Sequence, residues 1–172
     1  MKNFLSILLA VVVLATFAFF AVGSSDDSSA TVSSGDDSTT TANSANQNLT
    51  VNVGEKLTVS NLEIVYNSCG DYTGYSQYSA PKSGYKVIYI DLSAKNNGDS
   101  DAYISTFEFT CYADDEAMEA YYSVDDDLSA TLSSGRSTKG RVYFEVPKDA
   151  ENIEIEYETD FWDSQKAIFV VK

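Results

Sequence analysis

The chain has 172 residues and a formal net charge of −15, with 12 Tyr, 2 Cys and no His. Its length is sufficient for one domain with a substantial core. Without His it lacks the usual general base and the commonest metal ligand. Its 11 Lys and Arg face 26 Asp and Glu, which disfavours nucleic acid and anionic lipid surfaces as partners.

Residues 1–23 have the pattern of an export signal, since residues 4–22 carry no charge and follow Lys2. The apolar run is long for the core of a signal peptide and just long enough to span a bilayer. Two alternatives therefore stay open: the segment is cleaved between Gly23 and Ser24, or it is retained as a membrane anchor. Both predict an extracytoplasmic protein, secreted or anchored, with membrane contact only through this segment if it is not cleaved.

Residues 24–48 predict a disordered tether that is rich in Ser, Asp and Thr. The segment has no Lys, Arg or aromatic residue, and Val32 is its only large aliphatic side chain. It cannot bury enough apolar surface to offset the entropy of ordering. A spacer that holds a domain clear of a cell wall and a mature N-terminus without a role are equally compatible with this composition.

From Leu49 onward, short segments of alternating apolar and polar residues are separated by turn residues. The expected strands fall at 49–53, 57–59, 62–66, 85–97, 103–111, 132–147, 153–157 and 167–171. Asp114 and Asp115 predict the tip of a hairpin. About seven to eight short strands without a convincing amphipathic helix favour an all-β fold, an antiparallel immunoglobulin-like β-sandwich over residues 49–172.

The clearest strand ends at Pro147 after a turn at Gly135. Its alternation predicts one buried face and one solvated face. The buried face would hold Gly140, Val142, Phe144 and Val146, and the solvated face Lys139, Arg141, Tyr143 and Glu145. By the same argument, Phe107, Phe109 and Cys111 are expected on one inward face of their strand.

The order of these elements resembles a small immunoglobulin-like domain of unknown function found in secreted bacterial lipoproteins. That domain is similar to the mycobacterial immunoprotective extracellular antigen family. The matching segments are Gly54, 84–91 with Asn96-Asn97, 107–115, 132–135 and 140–147. The resemblance covers residues 49–172 and implies an extracytoplasmic binding or accessory module, and the family offers no established catalytic residues to carry over. At Ser24 the chain lacks the cysteine that would carry the lipid of a lipoprotein.

Cys69 and Cys111 are the only cysteines, and an exported protein meets an oxidising compartment. A bridge between them would close a loop of about 43 residues and contribute roughly 4 kcal/mol in the chain-entropy model. The alternative is one buried thiol and one loop thiol that never meet. We predict the disulfide. A metal or catalytic role is disfavoured without His or a Cys-x-x-Cys motif.

Tyr72, Tyr75 and Tyr78 are the predicted ligand-recognition residues. They lie in a glycine-containing connection of about 17 residues between Ser68 and Gly84, longer than a fold requires. Exposed tyrosines on such a loop form a rigid, amphipathic contact surface.

The acidic clusters 114–116 and 125–127 are compatible with a calcium site, although solvated loop charge explains them as well. Arg136, Lys139 and Arg141 form the one basic concentration. They are compatible with binding an anionic wall polymer or with a solvated strand face.

The sequence thus predicts an extracytoplasmic, non-enzymatic module that recognises an extracellular protein or glycan. We expect a monomer with no catalytic residue, cofactor or resident metal. The alternative is a structural or calcium-dependent cell-surface adhesion domain.

Overall fold

The computed structural model describes residues 30–35, 39–41, 48–122, 125–159 and 165–172. Fourteen strands lie in this part of the chain. They are β1 (Ala30–Ser33), β2 (Thr39–Thr41), β3 (Leu49–Val51), β4 (Lys56–Val59), β5 (Leu62–Tyr72), β6 (Tyr85–Asn96), β7 (Ala102–Ser105), β8 (Phe109–Ala113), β9 (Glu116–Ala117), β10 (Glu119–Ala120), β11 (Ser129–Leu132), β12 (Ser137–Pro147), β13 (Ile153–Glu158) and β14 (Lys166–Val170). A single 3₁₀ turn, Thr106–Glu108, joins β7 to β8.

The strands form two large sheets that pack on each other. The first sheet has the order β10-β12-β6-β5-β4-β1-β2, and the second has the order β3-β14-β13-β8-β9. A two-stranded sheet pairs β11 with β7. All neighbours are antiparallel except β14 and β3, which run parallel. The predicted all-β sandwich is confirmed, and its strand number exceeds the prediction because several edge strands have only two to four residues.

The core lies between the two sheets and holds side chains from both. Tyr66 of β5 meets Phe169 of β14 edge-to-face, with ring centroids 5.4 Å apart. The Tyr66 hydroxyl donates to the Val170 carbonyl at 3.1 Å, which satisfies its polar end. Each large apolar side chain buried in this way contributes about 1.5–3 kcal/mol.

Strands β6 and β12 are the longest pair, joined in continuous register from Ser137 opposite Lys95 to Pro147 opposite Tyr85. The predicted inward face of β12 is confirmed at Val142, Phe144 and Val146, which are buried, while Gly140 is half-buried. The predicted solvated face is wrong at Tyr143, which is also buried. An aromatic cluster on the outer side of the sheet covers that side chain.

The N-terminal segment differs from the predicted tether. β1 pairs with β4 and with β2, and both of its inward side chains, Ala30 and Val32, are buried. A strand that joins an existing sheet edge gains a ladder of backbone hydrogen bonds, so little apolar surface suffices to order it. The tether prediction therefore fails for β1 and β2.

The rest of the N-terminal predictions fall outside the described residues. These are the leader 1–23, Ser24 and the tether residues 24–29, 36–38 and 42–47. Within the part of the chain that the structure describes, no helix is long and apolar enough to cross a membrane.

The hairpin tip predicted at Asp114 and Asp115 is confirmed. Both residues have positive φ, 48° and 69°, and they join β8 to β9. Two-residue hairpins of this kind require positive φ at both turn positions. The prediction for Phe107 is wrong, since the 3₁₀ turn interrupts the alternation and leaves this side chain 78% exposed, while Phe109 and Cys111 are buried.

The predicted disulfide between Cys69 and Cys111 is not formed, and both thiols are free. Cys69 lies in β5 with its sulfur 4.0 Å from the carbonyl oxygen of Val171, which follows β14. Cys111 lies in β8, and β13 runs between β8 and β14. Cys69 therefore contacts the second sheet beside β14, two strands away from the strand that carries Cys111, and the two thiols are not joined.

Candidate recognition surface

Five tyrosines, here called the tyrosine cluster, pack on the outer face of the first sheet. They are Tyr72, Tyr75, Tyr89, Tyr121 and Tyr143. The ring centroid of Tyr143 is 5.1 Å from that of Tyr72 and 6.1 Å from that of Tyr89. Tyr72 also meets Tyr121 at 6.2 Å and Tyr75 at 6.3 Å. Tilted and edge-to-face pairs like these contribute about 0.5–1.5 kcal/mol each beyond their burial.

Strand register explains how this cluster assembles. Tyr89 and Tyr143 are directly opposite each other on β6 and β12. On the other side of β6, Tyr89 lies opposite Gly70 of β5. A Cβ atom at Gly70 would lie 3.1 Å from the Tyr89 hydroxyl oxygen. Glycine at this position therefore leaves room for the ring to lie across the sheet.

The loop 73–84 is fastened to this cluster and to the edge of the sheet. The Tyr121 hydroxyl donates to the Ser79 carbonyl at 2.8 Å. The backbone N–H of Lys82 donates to a Glu145 carboxylate oxygen at 2.8 Å. The Lys82 ammonium pairs with Glu119 of β10, and this hydrogen bond lowers the pKa of Glu119. The loop thus has a defined path over the outer face.

A tight turn at residues 76–79 presents Tyr78 to solvent. The backbone N–H groups of Ser76 and Tyr78 donate to the hydroxyls of Ser79 and Ser76, at 3.1 and 3.2 Å. The Ser79 N–H donates to the Ser76 carbonyl at 3.2 Å. Tyr78 is 91% exposed, the largest exposure of any large apolar side chain in the described residues. A turn closed by three hydrogen bonds holds this ring away from the sheet.

The structure separates the three tyrosines that the sequence grouped together. Tyr72 and Tyr75 belong to the half-buried cluster, and Tyr78 stands alone at the loop tip. Their role in ligand recognition stays a prediction. Sequence reasoning missed Tyr121 and Tyr143 as supports of this surface. The sequence pattern that could have indicated this surface is that Tyr89 and Tyr143 both occupy outward positions, on two strands that proved to be adjacent.

Arg141 connects the cluster to the segment 125–128. Its guanidinium lies 4.5 Å from the centroid of the Tyr89 ring. It also pairs with Asp91 at 3.0 Å and with Asp126 at 3.4 Å. The Tyr143 hydroxyl donates to Asp126 at 2.7 Å, and burial together with this bond raises the pKa of Tyr143 to about 12. Of the three basic residues in this region, Arg141 is therefore internally paired, while Arg136 and Lys139 are exposed.

Segment 125–128 lies directly against β12 through its backbone. The Leu128 N–H donates to the Arg141 carbonyl at 2.9 Å, and the Arg141 N–H donates to the Asp126 carbonyl at 2.8 Å. Gly140 permits this approach, since a Cβ there would lie 2.7 Å from the Leu128 Cα. The acidic cluster 125–127 is thus part of a packed strap rather than a free loop.

Both acidic clusters contribute carboxylates to internal contacts. Asp114 accepts hydrogen bonds from the N–H groups of Asn152, at 2.8 Å, and Glu151, at 3.1 Å, and these bonds lower its pKa. Asp126 is occupied by Tyr143 and Arg141 as described above. Across the residues that the structure describes, no three Cys, Asp or Glu side chains are grouped so as to hold a metal ion. This geometry gives no support to the calcium-dependent alternative.

Comparisons with known proteins agree with the fold. The sequence model of the family described as Domain of unknown function DUF4352 matches residues 51–168. Comparison with the curated proteins gives no match.

Three solved structures share the sandwich. MPT63, a secreted protein of Mycobacterium tuberculosis, has a TM-score of 0.56 at 14% identity, over 73% of this chain and 99% of that chain. The yjhA protein of Bacillus subtilis has a TM-score of 0.55 at 13% identity, over 70% and 98%. The candidate lipoprotein ycdA of Bacillus subtilis has a TM-score of 0.53 at 17% identity, over 64% of this chain.

The chain spans only 36% of the length of ycdA. At identities this low, these likenesses establish the fold alone, including the likeness to the mycobacterial protein.

Proposed function

The chain belongs to the family described as Domain of unknown function DUF4352, and from this premise we propose an exported, non-enzymatic module that recognises an extracellular protein or glycan. A location outside the cytoplasm is supported by the leader pattern at 1–23. It is also supported by fold relatives described as a secreted protein and a candidate lipoprotein. The domain would be secreted or held at the membrane by its N-terminal segment.

The exposed ring of Tyr78 is the observation that carries this proposal. A tyrosine at 91% exposure keeps almost its whole side chain accessible to a second molecule, and contact with that molecule would remove apolar surface from water. Tyrosine suits recognition because it offers a large amphipathic contact area with few rotatable bonds.

The support beneath the loop strengthens this argument. Tyr121 and Glu145 fix the loop backbone at Ser79 and Lys82, and Tyr72 and Tyr75 pack against the sheet. A loop that is ordered before binding loses less conformational entropy when the ligand arrives. Tyr78 would make the ligand contact, and Tyr72 and Tyr75 would keep the loop in position.

The full-length chain can be screened in a non-ionic detergent against an array of glycans, including cell-wall glycans, and an array of extracellular proteins. For the tightest ligand found, Tyr78→Ala is expected to raise Kd about tenfold or more, because central aromatic anchors carry much of the energy of an interface. Surface plasmon resonance measures the Kd of the wild-type chain and of the Tyr78→Ala variant.

Tyr103→Ala is the matched control, since Tyr103 is also exposed but lies on β7, outside the loop. Unchanged binding by Tyr78→Ala, or equal loss in both variants, would contradict the assignment of the loop. Failure of the wild-type chain to bind on either array would contradict the proposed function itself.

A further inference from the structure

The outer face of the second sheet carries a groove of about 390 Å³. Its floor contains outward side chains of two adjacent strands, Thr110 and Tyr112 of β8 and Glu156 of β13. Thr110 and Glu156 lie directly opposite each other in the register. Phe107, from the turn that precedes β8, also lines the groove. This face is on the opposite side of the sandwich from the tyrosine cluster.

The groove carries more negative than positive charge. Glu108, Glu156 and Glu158 line it together with one cation, Lys166. The Lys166 ammonium pairs with Glu156, so the charge of the lining is −2 from three carboxylates and one ammonium. Burial raises the pKa of Glu108, although the Ser105 N–H donates to it at 2.8 Å. A cation bound beside Glu108 would relieve that desolvation penalty.

Phe107 adds an aromatic wall beside these carboxylates. Its side chain is 78% exposed and contacts the Tyr122 ring, with centroids 5.7 Å apart. The capping box between Ser105 and Glu108 fixes the turn that carries it. Cations are attracted to the faces of aromatic rings, and the alkyl stem of an amine packs on apolar surface while its charged end stays near the carboxylates.

We propose that this groove binds a primary ammonium group carried on an alkyl chain, with Phe107 contacting the stem and Glu108 and Glu158 facing the charge. A free polyamine and the lysine side chain of a polypeptide share this chemistry. The site is distinct from the Tyr78 loop in position, so each site can be tested without the other.

Isothermal titration calorimetry of the full-length chain, in detergent and at low salt, tests the groove with two probes: spermidine and a tri-lysine peptide. We expect at least one to bind. Glu158→Gln and Phe107→Ala are each expected to raise its Kd roughly three- to fivefold. Both side chains are exposed, so the fold should persist, and a circular-dichroism melt checks this.

Asp99→Asn removes the same charge from an exposed turn outside the groove and is the matched control. It is expected to leave Kd unchanged. Binding of spermidine alone would identify a free amine as the source, and binding of the peptide would identify a lysine side chain. The proposal is overturned if neither probe binds, if Asp99→Asn weakens binding as much as Glu158→Gln, or if the uncharged analogue 1,5-pentanediol binds as tightly.

Discussion

Asp127 places a carboxylate in an unfavourable position within the strap 125–128. Its Oδ1 is buried and, among the described residues, is the side-chain oxygen left without a hydrogen-bond partner. Burial, followed by the nearby charge of Asp126, raises the pKa of Asp127 above its ordinary value of 3.8. The folded state therefore favours the protonated form more than the unfolded chain does.

The sign of the pH effect follows from that raised pKa. Well below pH 3.8 the carboxyl is neutral in both states, and as pH rises from there through the raised folded-state pKa the fold loses stability. Asp127→Asn is thus expected to raise the free energy of unfolding at pH 7 and to change it little at pH 3. Urea titrations at both pH values measure this, with Asp125→Asn, an exposed neighbour, as control. Equal effects at the two pH values would contradict the account.

At the scale of the element, β1 is a strand whose inward face has two small anchors. Val32 is 5% exposed and Ala30 is 2% exposed, while Thr31 lies on the other face. Val32→Asp would place a charge at the end of the core and is expected to lower the free energy of unfolding by about 2–4 kcal/mol. Thr31→Asp is the control and should cost about 0.5 kcal/mol or less.

Chemical denaturation of the two variants distinguishes a strand from a disordered tether. If β1 packs as described, Val32→Asp lowers the free energy of unfolding much more than Thr31→Asp does. Neutral behaviour of both would show that residues 30–33 contribute nothing to the sandwich. The result also bears on β4, since β1 covers the ladder edge that β4 would otherwise present to solvent.

At the scale of the whole molecule, the two cysteines belong to different sheets and report on the packing between them. Burial raises the pKa of Cys111 to about 12, and this side chain is inaccessible, whereas Cys69 is half-buried. Iodoacetamide is therefore expected to label Cys69 in the native protein and Cys111 only after unfolding. Mass spectrometry counts the labels, and a reductant should leave the thermal midpoint unchanged. A native protein without free thiols, or a midpoint lowered by reductant, would contradict the structure.

The alternation of apolar and polar residues along the sequence was sufficient to predict most of the fold. It located β6, β12 and their inward faces because side chains in a strand alternate strictly. It failed at Phe107, because a 3₁₀ turn interrupts the strand there and moves the buried positions by one residue. It also failed at Tyr143, whose outward position is buried by residues distant in sequence.

The candidate site was less predictable than the fold, because it depends more on contacts between residues that are distant in sequence. The exposure of Tyr78 depends on a local turn, and its loop was identifiable from length and composition. The anchors at Tyr121 and Glu145 depend on tertiary contacts, which no local pattern encodes. Composition likewise missed β1, since the sheet edge that orders Val32 lies in another part of the chain.

The position of β1 also limits how far the domain can extend from the membrane. A free segment from 24 to 48 would extend up to about 85 Å, at about 3.4 Å per residue. With β1 beginning at Ala30, only residues 24–29 lie between the predicted leader and the sandwich, and six residues span at most about 20 Å. If residues 1–23 remain in the membrane as an anchor, any molecule bound by this domain would be held within a few nanometres of the lipid surface.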